Sequence, residues 1–121
     1  MTADEKKCAH EEYLPIIEAL QAKHALDIDF IDLKDISGFA DAFIIATARS
    51  DINARTLRDA ADDALNSLGR LCKIEGETSS RWCLIDAGDV VVHIFNRAGR
   101  EFYKLERLWG DAPSIRFESE E

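Results

Sequence analysis

Arg81-Trp-Cys-Leu-Ile-Asp-Ala-Gly-Asp-Val-Val-Val-His-Ile-Phe95 is a pair of apolar runs set around Asp86-Ala87-Gly88-Asp89. Runs rich in β-branched and aromatic residues, joined by a short Gly-containing segment, are the mark of a β-hairpin. With Ala87-Gly88 as a two-residue loop, Asp86 pairs with Asp89, Leu84 with Val91, and Trp82 with His93. Side chains alternate across a strand. One face then carries Trp82, Leu84, Asp86, Asp89, Val91, His93 and Phe95, and the other carries Cys83, Ile85, Val90, Val92 and Ile94. The second face is uniformly apolar and reads as core. The first mixes Trp, His and acids with aliphatics. It suits a surface built to touch a partner, and it also suits a half-buried sheet packed under a helix. A slip of one residue would exchange the faces of one strand relative to the other.

Outward from the hairpin, the chain alternates helical and extended patterns. Residues 4–25 predict a helix with Leu14, Ile17 and Leu20 in its apolar stripe. Pro15 allows two versions, a helix that starts near Tyr13 or a longer one that kinks. Asp27–Leu33 predicts a strand with Ile28 and Phe30 on one face, and Lys34–Asp41 a loop. Ala42–Ala48 is continuously apolar or small, as a central strand covered on both faces should be. Ser50 suits an N-cap for a helix over 51–68, whose stripe is Ala54, Leu57, Ala61, Ala64, Leu65 and Leu68, and Gly69 suits its end. Leu71–Glu75 predicts a further strand. After the hairpin, Arg97–Trp109 predicts a last helix with Phe102, Leu105 and Leu108 or Trp109 facing inward. The expectation is an α+β domain over residues 1–121. It has a mixed sheet of about five strands flanked by helices, an N-terminal helical segment over 1–25 and an acidic tail over 114–121.

The formal charge of −9 is uneven, with ten acids against four Lys or Arg over residues 1–41 and seven against eight over 70–117. Such an excess argues against phosphate-backbone binding as the main activity and suits a basic protein partner. No run approaches the ~18 apolar residues of a membrane helix. The charged start lacks the apolar stretch of a secretory signal. Cys8, Cys72 and Cys83 are odd in number and widely spaced, which reads as free thiols in a reducing cytoplasm.

Candidate chemistry is thin. Cys83 and His93 look like nucleophile and base, but the hairpin register puts them on opposite faces. Ser50-Asp51 at a helix start is a possible phosphate cradle. Nucleotidyl transfer also needs converging carboxylates, and Asp86 and Asp89 supply only two. Neither a metal nor a cofactor site is expected, and no catalytic residue. Trp82, Tyr103 and Trp109 are aromatics of the kind that anchor interfaces and that also fill cores.

The blocks Ala40-Asp-Ala-Phe-Ile-Ile45, Ile74-Glu-Gly76, Trp82 with Asp86-Ala-Gly-Asp-Val-Val-Val-His93, and Tyr103-Lys-Leu-Glu-Arg-Leu-Trp109 carry a resemblance. From about Asp27 to Ala112 the chain resembles the ribosomal silencing factors, the RsfS or Iojap family. The resemblance implies a nucleotidyltransferase-like fold without the catalytic set, and a binding protein rather than an enzyme. It implies a large-subunit partner, ribosomal protein L-fourteen, with steric blocking of small-subunit joining and less translation when nutrients are scarce. It also implies a tendency to homodimers. An assembly role for the large subunit through the same surface is the alternative, and a nucleotide-binding domain a remote one. The positions the resemblance marks for the partner are Glu75, Trp82, Asp86, Asp89, His93, Tyr103, Glu106 and Trp109. The chain departs from the family at Ala46-Thr-Ala-Arg-Ser50, where a Gly-Thr-Ser-like turn is usual, which weakens the nucleotide reading further.

Overall fold

A computed structural model describes residues 10–34, 40–76, 81–104 and 112–117. Residues 4–9 of the expected helix lie outside the described residues, while a 3-10 turn over His10–Tyr13 leads into α1 (Leu14–Ala22), with Tyr13 as its N-cap and Pro15 in its first turn. Pro has no N–H to lose there. Then come β1 (Leu26–Asp32), β2 (Ala42–Thr47), α2 (Asp51–Ser67), β3 (Lys73–Glu75), β4 (Trp82–Asp86), β5 (Val90–Phe95), α3 (Arg97–Tyr103) and β6 (Ser114–Phe117). The six strands form one sheet in the order β3-β4-β5-β2-β1-β6. β2 and β5 run parallel, and every other neighbouring pair is antiparallel. The expectation of a mixed sheet flanked by helices holds, with six strands rather than about five.

Buried apolar residues divide between the two sides of the sheet. Ile16, Ile17 and Leu20 of α1 and Ala54, Leu57, Ala61 and Leu65 of α2 pack with Ile28, Phe30, Ile44, Ala46, Cys83, Ile85, Val90, Val92 and Ile94. Burying side chains of this kind is the main favourable term in folding. Ile31, Leu33, Phe43, Ile45, Val91 and Phe95 belong to the other side, where Trp82 and Leu84 join them. β2 is buried along its whole length, as its apolar run requires. Ser50 caps α2 by accepting from the Asn53 N–H at 3.0 Å. At the other end, the N–H groups of Gly69 and Arg70 bond the carbonyls of Asn66 and Leu65, the paired bonds of a Schellman stop.

Two expectations need correction. Residues 114–117 are not a free tail: they form β6, paired with β1. Four residues give too short an alternation to stand out from the acids that follow. Phe102 does not face inward but is 71% exposed, with the Arg81 guanidinium 5.9 Å from its ring centre. Arg100 occupies the inward side of α3 instead, at 8% exposed. Its guanidinium donates to Asp29 (2.8 Å), to the Thr47 hydroxyl (2.9 Å) and to the Asp27 carbonyl (2.8 Å). Arg116 of β6 also pairs with Asp29, so one carboxylate joins β1, β6 and α3. Leu105, Leu108 and Trp109 lie outside the described residues.

Candidate functional site

The hairpin folds with a register two residues from the expected one. Trp82 pairs with Phe95, Leu84 with His93, and Asp86 with Val91. The loop is Gly88-Asp89, closed by the Ala87 N–H bonding the Val90 carbonyl at 3.0 Å. Gly88 has φ +92°, and a two-residue loop of this hand wants glycine at its first central position, which Ala87 cannot supply. Because the side-chain period is two, a two-residue shift leaves the faces of the paired strands, Trp82–Asp86 and Val90–Phe95, as read. Cys83 and His93 do lie on opposite sides, Cys83 packing with the helix-side core. Burial also pushes the thiol of Cys72 up to about 11, which favours its protonated form.

Directly paired residues share a face. Glu75, Leu84, His93 and Ile45 form one row across the sheet, and Lys73, Asp86, Val91 and Phe43 form the next. Four marked residues therefore come together on one face: Glu75, Trp82, Asp86 and His93. Gly76 positions the entry to β4. It has φ +75°, and a Cβ there would meet the Trp82 carbonyl oxygen at 2.5 Å, so only glycine lets the two backbones approach.

Trp82 is half-buried. Its ring stacks on Phe95 (centroids 5.3 Å, planes 26° apart), and its indole N–H donates to His93 Nδ1 at 3.1 Å. His93 in turn meets Phe43 edge-on at 4.5 Å. His93 is 3% exposed. Burial drives its pKa down to about 4, against a smaller opposing pull from Asp86, so the ring is neutral at physiological pH. Its Nε2 is buried and finds no hydrogen-bond partner among the described residues. Beside it the face opens into a recess of about 430 Å³ lined by Phe43, Leu84, Asp86, Gly88, Val91 and His93.

Asp89 departs from the expectation. Its place in the tight turn swings the carboxylate to the helix side, where it pairs with Arg70 and accepts from the Tyr13 hydroxyl at 3.3 Å. Arg70 also reaches Glu12 at 3.3 Å and lies over the Tyr13 ring. This knot fastens α1 and the end of α2 to the hairpin turn. Asp86 stays on the Trp82 face, accepting from the Gly88 N–H at 2.9 Å. The two carboxylates thus serve different sides of the sheet, and among the described residues no cluster suited to a metal ion forms. The backbone of Tyr103 ends α3, while Glu106 and Trp109 lie outside the described residues. Among the described residues no helix is long and apolar enough to cross a membrane. Sequence reading missed Lys73, which adds a cation to the edge of the face; only the β3–β4 register reveals it.

Comparison with known proteins agrees with this geometry. Residues 6–121 match the family described as "Ribosomal silencing factor during starvation". The ribosomal silencing factor RsfS of Bacillus subtilis is 44% identical over 99 residues, covering 78% of this chain and 81% of that protein. The protein of the same name from Halalkalibacterium halodurans is 35% identical over 112 residues, 91% of this chain and 96% of that one. An X-ray crystal structure of a Chromobacterium violaceum protein superposes with a TM-score of 0.79 at 34% identity, covering 84% of this chain and 85% of the other.

Proposed function

The chain belongs to the ribosomal silencing factor family, and on that premise we propose that it binds the large ribosomal subunit through ribosomal protein L-fourteen. Bound there, it occupies space that the small subunit needs, and it lowers translation when nutrients are scarce. The mechanism is steric and requires affinity and position, not chemistry.

The observation that carries this reading is the state of Trp82. A half-buried indole whose N–H is already engaged by His93, and which is stacked on Phe95, offers a rigid apolar surface that loses little freedom on binding. Carboxylates of Glu75 and Asp86 share its face, and the chain carries −9 overall, which suits a basic partner that also holds ribosomal RNA. Tyr103, Glu106 and Trp109 extend this partner surface in the proposal.

The test is co-sedimentation of the purified protein with isolated small and large subunits, with Trp82→Ala alongside. We expect binding to the large subunit alone and a loss of about 2 kcal/mol or more in the variant. A folded Trp82→Ala protein with full affinity would remove Trp82 as the anchor. Accumulation of immature large subunits in a deletion strain, with joining by mature subunits unchanged, would favour the assembly role.

A further inference from the structure

We propose that the recess beside Trp82 is a second contact subsite. It takes an apolar side chain of the partner, together with a hydrogen-bond acceptor for His93 Nε2 and a cationic group for Asp86. The inference rests on the proposed large-subunit binding by this face, and it adds what chemistry the partner segment must present.

The argument begins with the tautomer of His93. The Trp82 indole is a donor only, so His93 Nδ1 must be the acceptor in their bond. A neutral imidazole has one donor and one acceptor, which leaves the proton on Nε2. That donor is buried and unpartnered among the described residues. Buried donors without partners are uncommon and costly. The two ring nitrogens point in diverging directions, so Nε2 is turned away from Trp82. His93 lines the recess, and Nε2 is the ring nitrogen that Trp82 leaves unengaged.

The rest of the lining specifies the occupant. Phe43, Leu84 and Val91 give apolar walls. Leu84 is only half-buried, whereas Phe43 and Val91 are buried, so it is the wall with room to turn aside for an incoming acceptor. Asp86 engages the Gly88 N–H through one oxygen, and its other oxygen suits a Lys or Arg of the partner. The fitting ligand is therefore a short segment of a basic protein, an apolar residue with its main-chain carbonyl turned inward and a cation next to it.

The experiment measures the affinity of the full chain for isolated large subunits in four forms: unsubstituted, Trp82→Ala, Leu84→Phe and Asp86→Asn. Leu84→Phe fills the recess and leaves the Trp82–His93 bond in place. Asp86→Asn keeps an oxygen for Gly88 and removes the charge. We expect Leu84→Phe to weaken binding about tenfold or more. Asp86→Asn should weaken it about threefold at low salt and flatten its salt dependence. If both bind like the unsubstituted protein while Trp82→Ala loses affinity, the recess is no contact and the reading of the face stands. If the unsubstituted protein does not bind large subunits, both fall. Should Leu84→Phe fail to fold by circular dichroism, the salt dependence of Asp86→Asn decides alone.

Discussion

The two faces of the sheet are built from different materials. The face under α1 and α2 is mainly aliphatic: Ile17, Leu20, Ile44, Leu57, Ile85, Val92 and Ile94 fill it around the stacked pair of Tyr13 and Phe30. The other face holds the aromatic group of Phe43, Trp82, His93 and Phe95. It also gathers all four polar or charged residues that are buried among those described, Asp29, Thr47, His93 and Arg100. A polar group out of water needs a partner, so such a face is specific about geometry where an aliphatic one mainly needs filling. Asp29, Thr47 and Arg100 satisfy one another, while His93 Nε2 is left over. The helix side is thus a finished core apart from Arg70 Nε, which is also buried without a hydrogen-bond partner among the described residues. Among the described residues, the Trp82 side is closed by ion pairs at its Asp29 end and carries the recess at its hairpin end.

Three perturbations test that division. The largest effect is expected from Asp29→Ala, which leaves the Arg100 guanidinium without its carboxylate and removes the Asp29 contacts of Arg116 in β6. Breaking a buried pair from one side costs about 3–5 kcal/mol. Urea denaturation should show that loss, and a value under about 1 kcal/mol would mean that the cluster does not hold this end of the face. Next is Leu57→Ala on the finished side. Leu57 is fully buried, so truncation should lower stability by about 2–5 kcal/mol through lost burial and the cavity left behind. The folded fraction should keep its affinity for large subunits. A drop in affinity matching that of Trp82→Ala would dissolve the distinction between the faces.

The contrast also explains what could be read in the sequence. The helix-side face obeys simple periodicity, so its members were legible: Ala54, Leu57, Ala61 and Leu65 at helical spacing, and Cys83, Ile85, Val90, Val92 and Ile94 at strand spacing. The Trp82 face was legible as a mixed set because a two-residue shift of register preserves it. The fate of Asp89 was not legible, since parity fails inside a two-residue turn and only the position of Arg70 shows where its carboxylate goes. Nor was Arg100 legible. A charged residue on a short helix reads as a solvated one until Asp29, far away in sequence, supplies its partner. Gly76 was visible as part of a block, but its reason, the close pass of the Trp82 backbone, is a tertiary fact.

The smallest effect is the most particular to the hairpin end. His93 has a folded pKa of about 4, lowered by burial from its ordinary 6.5. Between those values the unfolded chain takes up a proton that the folded one refuses. Stability from this group is therefore complete above pH 6.5, falls as pH drops through the window, and levels out below 4. At 1.36 kcal/mol per pH unit, the whole window amounts to about 3 kcal/mol. Carboxylates titrate over part of the same range, so the quantity to measure is the difference between the unsubstituted protein and His93→Gln, followed by denaturation from pH 7 to 5. The two stability curves should converge as pH falls, because only one of them contains the imidazole. Parallel curves would mean that the ring is not held neutral. The assignment of its proton to Nε2, and with it the orphan donor of the Trp82 face, would then have no basis.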